Sequence, residues 1–307
     1  MERSRVTMPN FLIIGAARAG TTSLWYYLRQ HPQIFMSAVK EPNFFGNKER
    51  RDYRGPGDQK WRYNPPATQP RSYASLFDAV RDERAIGEAT PGYLHNRACA
   101  ERIRARLPDV RLIAILRDPA ERALSQYLYM RREGAETLTD FAQALDAEEQ
   151  RTRENWSPMW RYADLGFYHL QLSHYLRIFD RQQIGIFYYE DLDSRPIELL
   201  QAMFRFLDVD PSFVPDVSTR HNKAGVPKSL PLLALLRKRS LVRPLLDPLL
   251  PERWRRKLFS MVHDRSLTRP SLRPELRRRL VDLYRSDLTS LQELLERDLS
   301  AWLRSES

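Results

Sequence analysis

Short uninterrupted runs of apolar residues, each closed by a charge or a chain breaker, mark the buried strands of this sequence. Three such runs cover residues 10–14, 111–116 and 184–189, and residues 85–89 form a weaker fourth. Continuous apolar runs of this length are typical of parallel strands that are buried on both faces of a sheet. The pattern therefore predicts a central parallel β-sheet.

Amphipathic helical spacing follows the first two of the strong runs directly. Residues 21–30 come after the first strand and residues 119–132 after the second. Strand, turn and helix alternate in this way in α/β folds, in which helices cover both faces of the sheet. Helical periodicity returns at residues 164–179 and 196–207 and is strongest at residues 274–302. We expect the last helix to pack against the sheet.

The chain shows neither a low-complexity linker nor an internal repeat that would divide it. We therefore predict a single domain over residues 1–307, in which residues 9–132 carry the binding motifs and residues 133–307 complete the strands and helices. Residues 46–70 differ from the rest, because they are polar, rich in Pro, Gly, Asn and Arg, and without a sustained period. This composition predicts a long surface loop, a feature that is often substrate-binding.

The net positive charge indicates that the protein binds an anionic partner, but it does not identify the class of anion. The formal net charge of +11 and the pI near 9.9 favour anions: nucleic acid, acidic lipid or a small polyanion. The Arg-rich clusters at residues 237–239 and 253–257 are interpreted as solvated helix faces. A single cysteine, Cys99, excludes an intrachain disulfide and a cysteine-based metal cluster, and favours a reducing compartment.

Targeting signals are weak throughout the sequence. The apolar stretch that ends at Ile14 is too short for the core of a signal peptide, and no run of about 18 apolar residues predicts a membrane span. The expectation is a soluble cytoplasmic protein. The sequence leaves the oligomeric state open.

A glycine-bracketed loop between the first strand and the first helix is the strongest chemical signal. Residues 15–24 read GAARAGTTSL, with Gly15 and Gly20 five positions apart as in a phosphate-binding P-loop. Such a loop presents backbone N–H groups and the positive end of a helix dipole to an anion. The predicted fold class is therefore α/β, with a P-loop-like central parallel β-sheet flanked by helices on both faces.

The loop departs from the nucleotide triphosphatase pattern at one position. Thr21 occupies the place of the lysine that grips the β- and γ-phosphates, and Arg18 is the loop's one basic residue. Without that lysine the loop is poorly suited to ATP. It is better suited to one phosphate beside a transferable group.

A second constellation follows the strand at residues 111–116. Arg117 and Asp118 precede Pro119, and Ser125 lies about two turns along the predicted helix. Ligands of parallel α/β sheets bind beyond the carboxyl ends of the strands, where a guanidinium can hold a phosphate and a serine can add a hydroxyl donor. The competing interpretation of Arg117 is a surface salt bridge.

Residues 15–24, taken with residues 116–119, Arg122 and Ser125, resemble the two cofactor-binding motifs of the sulfotransferase family. The segments KEPNFF at residues 40–45 and GEATPGYL at residues 87–94 resemble its heparan-sulfate-type branch and bacterial relatives. The resemblance is close from Pro9 to Tyr129 and looser beyond Ala163. It implies transfer of a sulfuryl group from 3'-phosphoadenosine 5'-phosphosulfate to a hydroxyl or amine. The acceptor would be a small molecule or a carbohydrate, with no metal and no nucleic acid involved.

The same resemblance implies roles for individual residues. Arg117 and Ser125 would hold the 3'-phosphate, and Glu41 would be the base that activates the acceptor, with Glu88 and His95 as alternatives. Arg18 would also stabilise charge on the leaving phosphate. The 5'-phosphosulfate end would be held by Arg18, Ala19, Gly20, Thr21, Thr22 and Ser23.

A basic segment at residues 220–225 resembles the loop that closes over the nucleotide in this family, and it places His221 and Lys223 near the cofactor. A plain basic loop explains the same residues. The sequence departs from the family pattern at two positions. Members of the family often carry lysine where this chain has Arg18, and some members carry lysine where it has Ala89. Arginine keeps the charge of the first site but changes the contact geometry. Alanine leaves one cation fewer near the acceptor.

Two other classes of function compete with sulfuryl transfer. A nucleotide-dependent P-loop kinase shares the broad fold, but the sequence has Thr21 in place of the required lysine. A non-enzymatic basic nucleic-acid-binding module explains the charge and leaves the ordered motifs unexplained. The sulfotransferase hypothesis accounts for both motifs and is preferred.

Overall fold

The computed structural model describes residues 7–46, 53–58, 69–219, 226–227, 267–268 and 270–305. Its strands are β1 (Phe11–Gly15), β2 (Ile34–Met36), β3 (Ala85–Ala89), β4 (Arg111–Leu116), β5 (Ile184–Tyr188), β6 (Val226–Pro227) and β7 (Leu267–Thr268). The first five form one parallel sheet in the order β2-β3-β1-β4-β5. The last two pair with each other in antiparallel fashion.

Helices surround the sheet. They are α1 (Thr21–Leu28), α2 (Pro70–Ala74), α3 (Arg97–Arg106), α4 (Pro119–Arg132), α5 (Phe141–Asp146), α6 (Glu148–Arg153), α7 (Tyr168–Leu176), α8 (Tyr189–Ser194), α9 (Pro196–Leu207) and α10 (Pro274–Leu295). The β1-α1-β2 and β3-α3-β4 connections run in opposite directions along the sheet. Because such crossovers are right-handed, α1 and α3 cover opposite faces. The α/β class predicted from the sequence is confirmed.

The middle of the sheet is the core of the molecule. Every residue of β1 is buried, and so is every residue of β4 after Arg111. Gly87 of β3 makes room for this packing, because a Cβ atom there would lie 2.3 Å from the ring of Phe11. Because β1, β3 and β4 are parallel, their carboxyl ends lie at the same edge of this buried sheet. The loops that carry the motifs begin at that edge.

Two predicted helices are shorter than their periodicity suggested. The segment at residues 164–179 divides into a 3₁₀ turn, Asp164–Gly166, and α7, and the segment at residues 274–302 divides into α10 and the turn Ser300–Leu303. The first division coincides with a contact from a distant segment. The hydroxyl of Tyr284 donates to the carbonyl oxygen of Ala163 at 2.8 Å. That contact joins α10 to the turn before α7.

The four predicted strands are confirmed, and the structure adds β2, a three-residue edge strand whose apolar signal is too short to stand out. Tyr189, predicted to end the last strong strand, instead begins α8. Part of the predicted surface loop at residues 46–70 lies outside the described residues. Asp58, within the loop, is buried, and its carboxylate accepts hydrogen bonds from Ser157 and from the indole of Trp160. This part of the loop is anchored.

Several sequence predictions fall on residues that the structure leaves undescribed. They include the Arg-rich clusters at residues 237–239 and 253–257 and the basic segment at residues 220–225, with His221 and Lys223. Among the helices of the described ranges, none combines the length and the apolar character needed to cross a membrane.

Candidate functional site

The loop between β1 and α1 is a tight turn that requires glycine at its end. Gly20, the residue before α1, has a left-handed backbone with φ of 94°. A Cβ atom there would also lie 2.7 Å from Cδ2 of Leu192. Both the backbone and the space therefore favour glycine. Helix α1 begins at the buried Thr21, directly after the loop. The positive end of the helix dipole therefore lies at the loop.

Asp118, in the second motif, has a structural role. Its carboxylate caps α4 by accepting hydrogen bonds from the N–H groups of Ala120 and Glu121, at 2.9 and 3.2 Å. Its other oxygen lies 2.7 Å from Nη2 of Arg277 on α10. Such a cap stabilises a helix start by about 1 kcal/mol. The contacts fix the point at which β4 ends and hold the preceding residue, Arg117, in place.

Arg117 lies beneath the glycine loop and is only 4% exposed. Its Nη1 donates to the carbonyl oxygen of Arg18 at 3.1 Å, and its guanidinium carbon lies 4.5 Å from the ring centre of Tyr189. Glu121 is 3.6 Å away, so an ion pair is present as well. The burial and the loop contact contradict the interpretation of Arg117 as a surface ion-pair residue.

Arg18 joins the two motifs directly. Its backbone is left-handed, with φ of 69°. Its Nε donates to Oγ of Ser125 on α4 at 3.4 Å. Its guanidinium carbon lies 4.6 Å from the ring centre of Tyr129, one helical turn further along the same helix. The structure thus brings together the glycine loop, Arg117 and Ser125, as the sequence predicted.

The site is strongly cationic. The pKa of Arg18 is lowered to about 10, mainly by burial and also by the positive charges of Arg132, Arg117 and Arg122. A guanidinium whose pKa is lowered by burial and by neighbouring cations is stabilised when an anion binds beside it. The side chains and the loop amides therefore fit a ligand that carries negatively charged phosphate or sulfate groups.

Arg122, although part of the second motif, lies on the inner face of α4 and is fully buried. One of its terminal nitrogens donates to the carbonyl oxygen of Tyr162. This contact ties α4 to the turn that precedes α7. Arg122 therefore influences the site by fixing the packing of α4 and by placing a positive charge near Arg18.

Glu41 lies beyond the carboxyl end of the neighbouring strand β3. Its N–H donates to the carbonyl oxygen of Ala89 at 2.9 Å, and its φ of 58° turns the chain there. The carboxylate pairs with the ammonium of Lys40, and the side chain keeps 39% of its exposure. It is close enough to Tyr129 to add to the rise in that residue's pKa, which burial and Glu133 mainly cause. Glu41 is thus an accessible carboxylate on the Arg18 side of the sheet edge.

The two alternative bases differ from Glu41 in their surroundings. Glu88 is fully buried, and its oxygens accept hydrogen bonds from the hydroxyls of Thr90 at 2.7 Å, Tyr93 at 2.8 Å and Tyr73 at 3.4 Å. Burial raises its pKa to about 7. A carboxylate enclosed in this way supports the fold beneath the site. His95 is half-buried at the end of the segment after β3.

Sequence reasoning missed four residues that shape the site. Tyr189 and Leu192 of α8 pack against Gly20 from a distant part of the chain. Tyr129 and Arg132 lie on α4 beside Arg18. Their spacing of four and seven positions after Ser125 places all three on one helix face, and this spacing could have revealed them.

Comparisons with known proteins identify relatives of this chain. The chain is similar to a crystal structure of a sulfotransferase from Alicyclobacillus acidocaldarius, with 32% identity and a TM-score of 0.76 over 97% of this chain and 100% of that one. It is 38% identical over 130 residues to the membrane-associated sulfotransferase kil1 of Dictyostelium discoideum, covering 41% of this chain and 24% of that protein. It is 31% identical over 178 residues to human heparan sulfate glucosamine 3-O-sulfotransferase 6, covering 57% and 45%. The chain therefore spans less than half the length of these two curated relatives.

The family model described as the sulfotransferase family matches residues 9–213. This range contains the glycine loop, Glu41, Arg117 and Ser125. The match decides among the three classes that the sequence left open, against the kinase and the nucleic-acid-binding module. The chain belongs to the sulfotransferase family.

Proposed function

We propose that this protein transfers a sulfuryl group from 3'-phosphoadenosine 5'-phosphosulfate to a hydroxyl or amine of a small-molecule or carbohydrate acceptor. The observation that carries the proposal is the meeting of two anion-binding elements at one sheet edge. Arg18 of the glycine loop reaches Ser125 at 3.4 Å, and Arg117 reaches the carbonyl oxygen of Arg18 at 3.1 Å. Two adjacent anion sites suit a donor with phosphate groups at both ends of its ribose.

The donor's two ends are assigned to different residues. The amides and hydroxyls at residues 19–23 and the guanidinium of Arg18 bind the 5'-phosphosulfate end, where negative charge grows on the leaving phosphate. Arg117 and Ser125 bind the 3'-phosphate. His221 and Lys223, which lie outside the described residues, are kept as contacts of a closing loop. These groups hold the donor in position and stabilise the negative charge that develops on it. Positioning and charge stabilisation are the main catalytic contributions in transfers of this kind.

Glu41 is assigned as the general base. Its carboxylate takes the proton of the acceptor hydroxyl as the acceptor oxygen forms a bond to sulfur and the bond from sulfur to the 5'-phosphate oxygen breaks. The products are the sulfated acceptor and adenosine 3',5'-bisphosphate. Accessibility supports this choice, because Glu41 keeps 39% side-chain exposure while Glu88 is fully buried among three hydroxyls.

The acceptor is proposed only as a class. Human relatives are named as sulfotransferases of heparan sulfate and of carbohydrate. This chain carries Ala89 where some family members have lysine. It therefore lacks one cation on which a polyanionic acceptor could rely, so a less acidic sugar or a neutral small molecule fits it equally well. That the transfer needs no metal stays a prediction.

A direct test uses radiolabelled donor with a panel of sugars, phenols, lipids and amines. We expect label to enter at least one acceptor class and adenosine 3',5'-bisphosphate to be released in equal amount. In parallel, adenosine 3',5'-bisphosphate should raise the melting temperature more than ATP with magnesium does, because ligand binding stabilises the folded state. Equal or greater protection by ATP would favour a kinase instead.

A further inference from the structure

Arg18 is held at two points by one face of α4. Ser125 accepts a hydrogen bond from its Nε at 3.4 Å, and the ring of Tyr129 lies 4.6 Å from its guanidinium carbon. Ser125 and Tyr129 are four positions apart on a helix, so their side chains are neighbours. A hydrogen bond to Nε and an aromatic ring against the guanidinium together restrict where that group can lie.

This clamp, formed by Ser125 and Tyr129, leaves the two terminal nitrogens of Arg18 available to a ligand. Within the part of the chain that the structure describes, its two terminal nitrogens make no hydrogen bond or ion pair. The side chain is half-buried, and the pKa of its guanidinium is lowered to about 10, chiefly by burial and by Arg132. An aromatic ring near a cation offsets part of such repulsion through the negative face of the ring.

The clamp also matches the departure from the family pattern at this position. The family often carries lysine where this chain has Arg18. A lysine has neither a donor at the Nε position of arginine nor a flat group to stack on a ring, so its ammonium gains less from Tyr129. The ring contact is therefore tied to the arginine.

We propose that Tyr129 is a positioning residue, which orients the Arg18 guanidinium toward the transferring end of the donor, and that this role depends on arginine at position 18. The inference rests on the proposed function, because it assigns Arg18 to the 5' end. It extends that proposal to a residue with no role in the family motifs quoted above. A change at Tyr129 should then affect the 5' end of a ligand and spare its 3'-phosphate.

Calorimetric titration with two nucleotides tests this directly. Adenosine 3',5'-bisphosphate probes both ends of the site, while adenosine 3'-monophosphate lacks the group that Arg18 would meet. Tyr129→Leu should weaken binding of the bisphosphate about 3- to 30-fold. Its binding of the monophosphate should stay within about twofold of wild type, and Tyr129→Phe, which keeps the ring, should retain most of the bisphosphate affinity.

A double-mutant cycle with Arg18→Lys provides the control. In the lysine background, Tyr129→Leu should change bisphosphate affinity by at most about twofold, because the stacking partner is gone. Equal losses for both nucleotides, or an undiminished loss in the lysine background, would overturn the positioning role. If wild-type protein binds neither nucleotide, the donor site itself is wrong and this inference falls with it. Circular dichroism of each variant separates these results from unfolding.

Discussion

The Nε atom of Arg18 donates a hydrogen bond to Oγ of Ser125 across 107 positions of sequence. This contact joins the loop after β1 to the helix after β4, which are neighbouring strands of one parallel sheet. Both elements leave the carboxyl edge of the sheet, where ligands of such folds bind. The two motifs therefore lie side by side, and under the proposed function changes on either side of this contact should affect the same ligand.

Replacing Arg117 with alanine should weaken binding of adenosine 3',5'-bisphosphate. The change removes a charge-assisted contact to the 3'-phosphate, a loss of about 1.5 to 3 kcal/mol that calorimetric titration can measure. Glu121→Gln is the matched control, since it removes the partner 3.6 Å from Arg117 and leaves the guanidinium in place. If Arg117→Ala binds the nucleotide as wild type does while folded, Arg117 only supports the loop.

Gly20→Ala should lose both stability and nucleotide affinity. The left-handed backbone at Gly20, with φ of 94°, and the 2.7 Å approach to Leu192 make a side chain there costly, by about 1 to 3 kcal/mol of unfolding free energy. The loop must shift to relieve the contact, which moves its amides away from the 5'-phosphate. Thermal melts and nucleotide titration measure the two effects.

Gly134→Ala controls for backbone strain in that experiment, because Gly134 also has a positive φ, of 71°, but follows α4 instead of forming the loop. We expect it to lower the melting temperature and to leave nucleotide affinity near the wild-type value. Equal loss of affinity in both variants would mean that general destabilisation, not the geometry of the loop at Gly20, accounts for the result.

The signals that the sequence offers for the candidate site are local. The glycine loop and the segment from Arg117 to Ser125 each combine a strand end, a turn and a helix start within a few residues, so spacing alone places their side chains. What spacing could not supply is which distant segment packs on each motif.

Long-range packing accounts for the predictions that needed revision. Gly20 is confined by Leu192 of α8, more than a hundred positions away, and no local pattern announces that contact. Arg122 belongs to the second motif by sequence, yet its side chain is fully buried and contacts Tyr162. The division of the helix predicted at residues 164–179 coincides with the contact between Tyr284 and Ala163. Each depends on a partner distant in sequence.

The buried carboxyl of Glu88 should make stability depend on pH. Burial raises its folded-state pKa to about 7 from the ordinary value of 4.5. The folded protein therefore holds this proton more tightly than the unfolded chain does. Its stabilising effect is complete below the unfolded value and is lost as pH rises through about 7. The free energy of unfolding should fall by about 3 kcal/mol over this window.

Denaturant titrations of wild type and Glu88→Gln across this pH range test the prediction. Glutamine keeps the shape and cannot ionise, so the difference between the two curves isolates Glu88 from Glu148, Glu190 and Asp287, whose pKa values burial also raises. The variant should lose most of the pH slope. An unchanged slope would mean that the surrounding hydroxyls hold Glu88 ionised in the folded state at all these pH values.

Glu41→Gln should lower turnover about 100-fold or more, the usual scale for removal of a general base. The change keeps the size of the side chain. It also keeps the backbone hydrogen bond from the N–H of residue 41 to Ala89, the last residue of β3. It removes the basicity that the acceptor hydroxyl needs. The measurement is initial rate with saturating donor and an acceptor found in the labelling screen.

Donor binding separates this role from a structural one. Glu41 is assigned no contact with the phosphates, so the affinity of Glu41→Gln for adenosine 3',5'-bisphosphate should stay near wild type. Lys40→Met is the matched control: it removes the ion pair with Glu41 and leaves the carboxylate as base, so its turnover should fall far less than that of Glu41→Gln. Near-normal turnover in Glu41→Gln would transfer the role to His95, the more exposed of the two alternatives, since Glu88 is enclosed by Thr90 and two tyrosines.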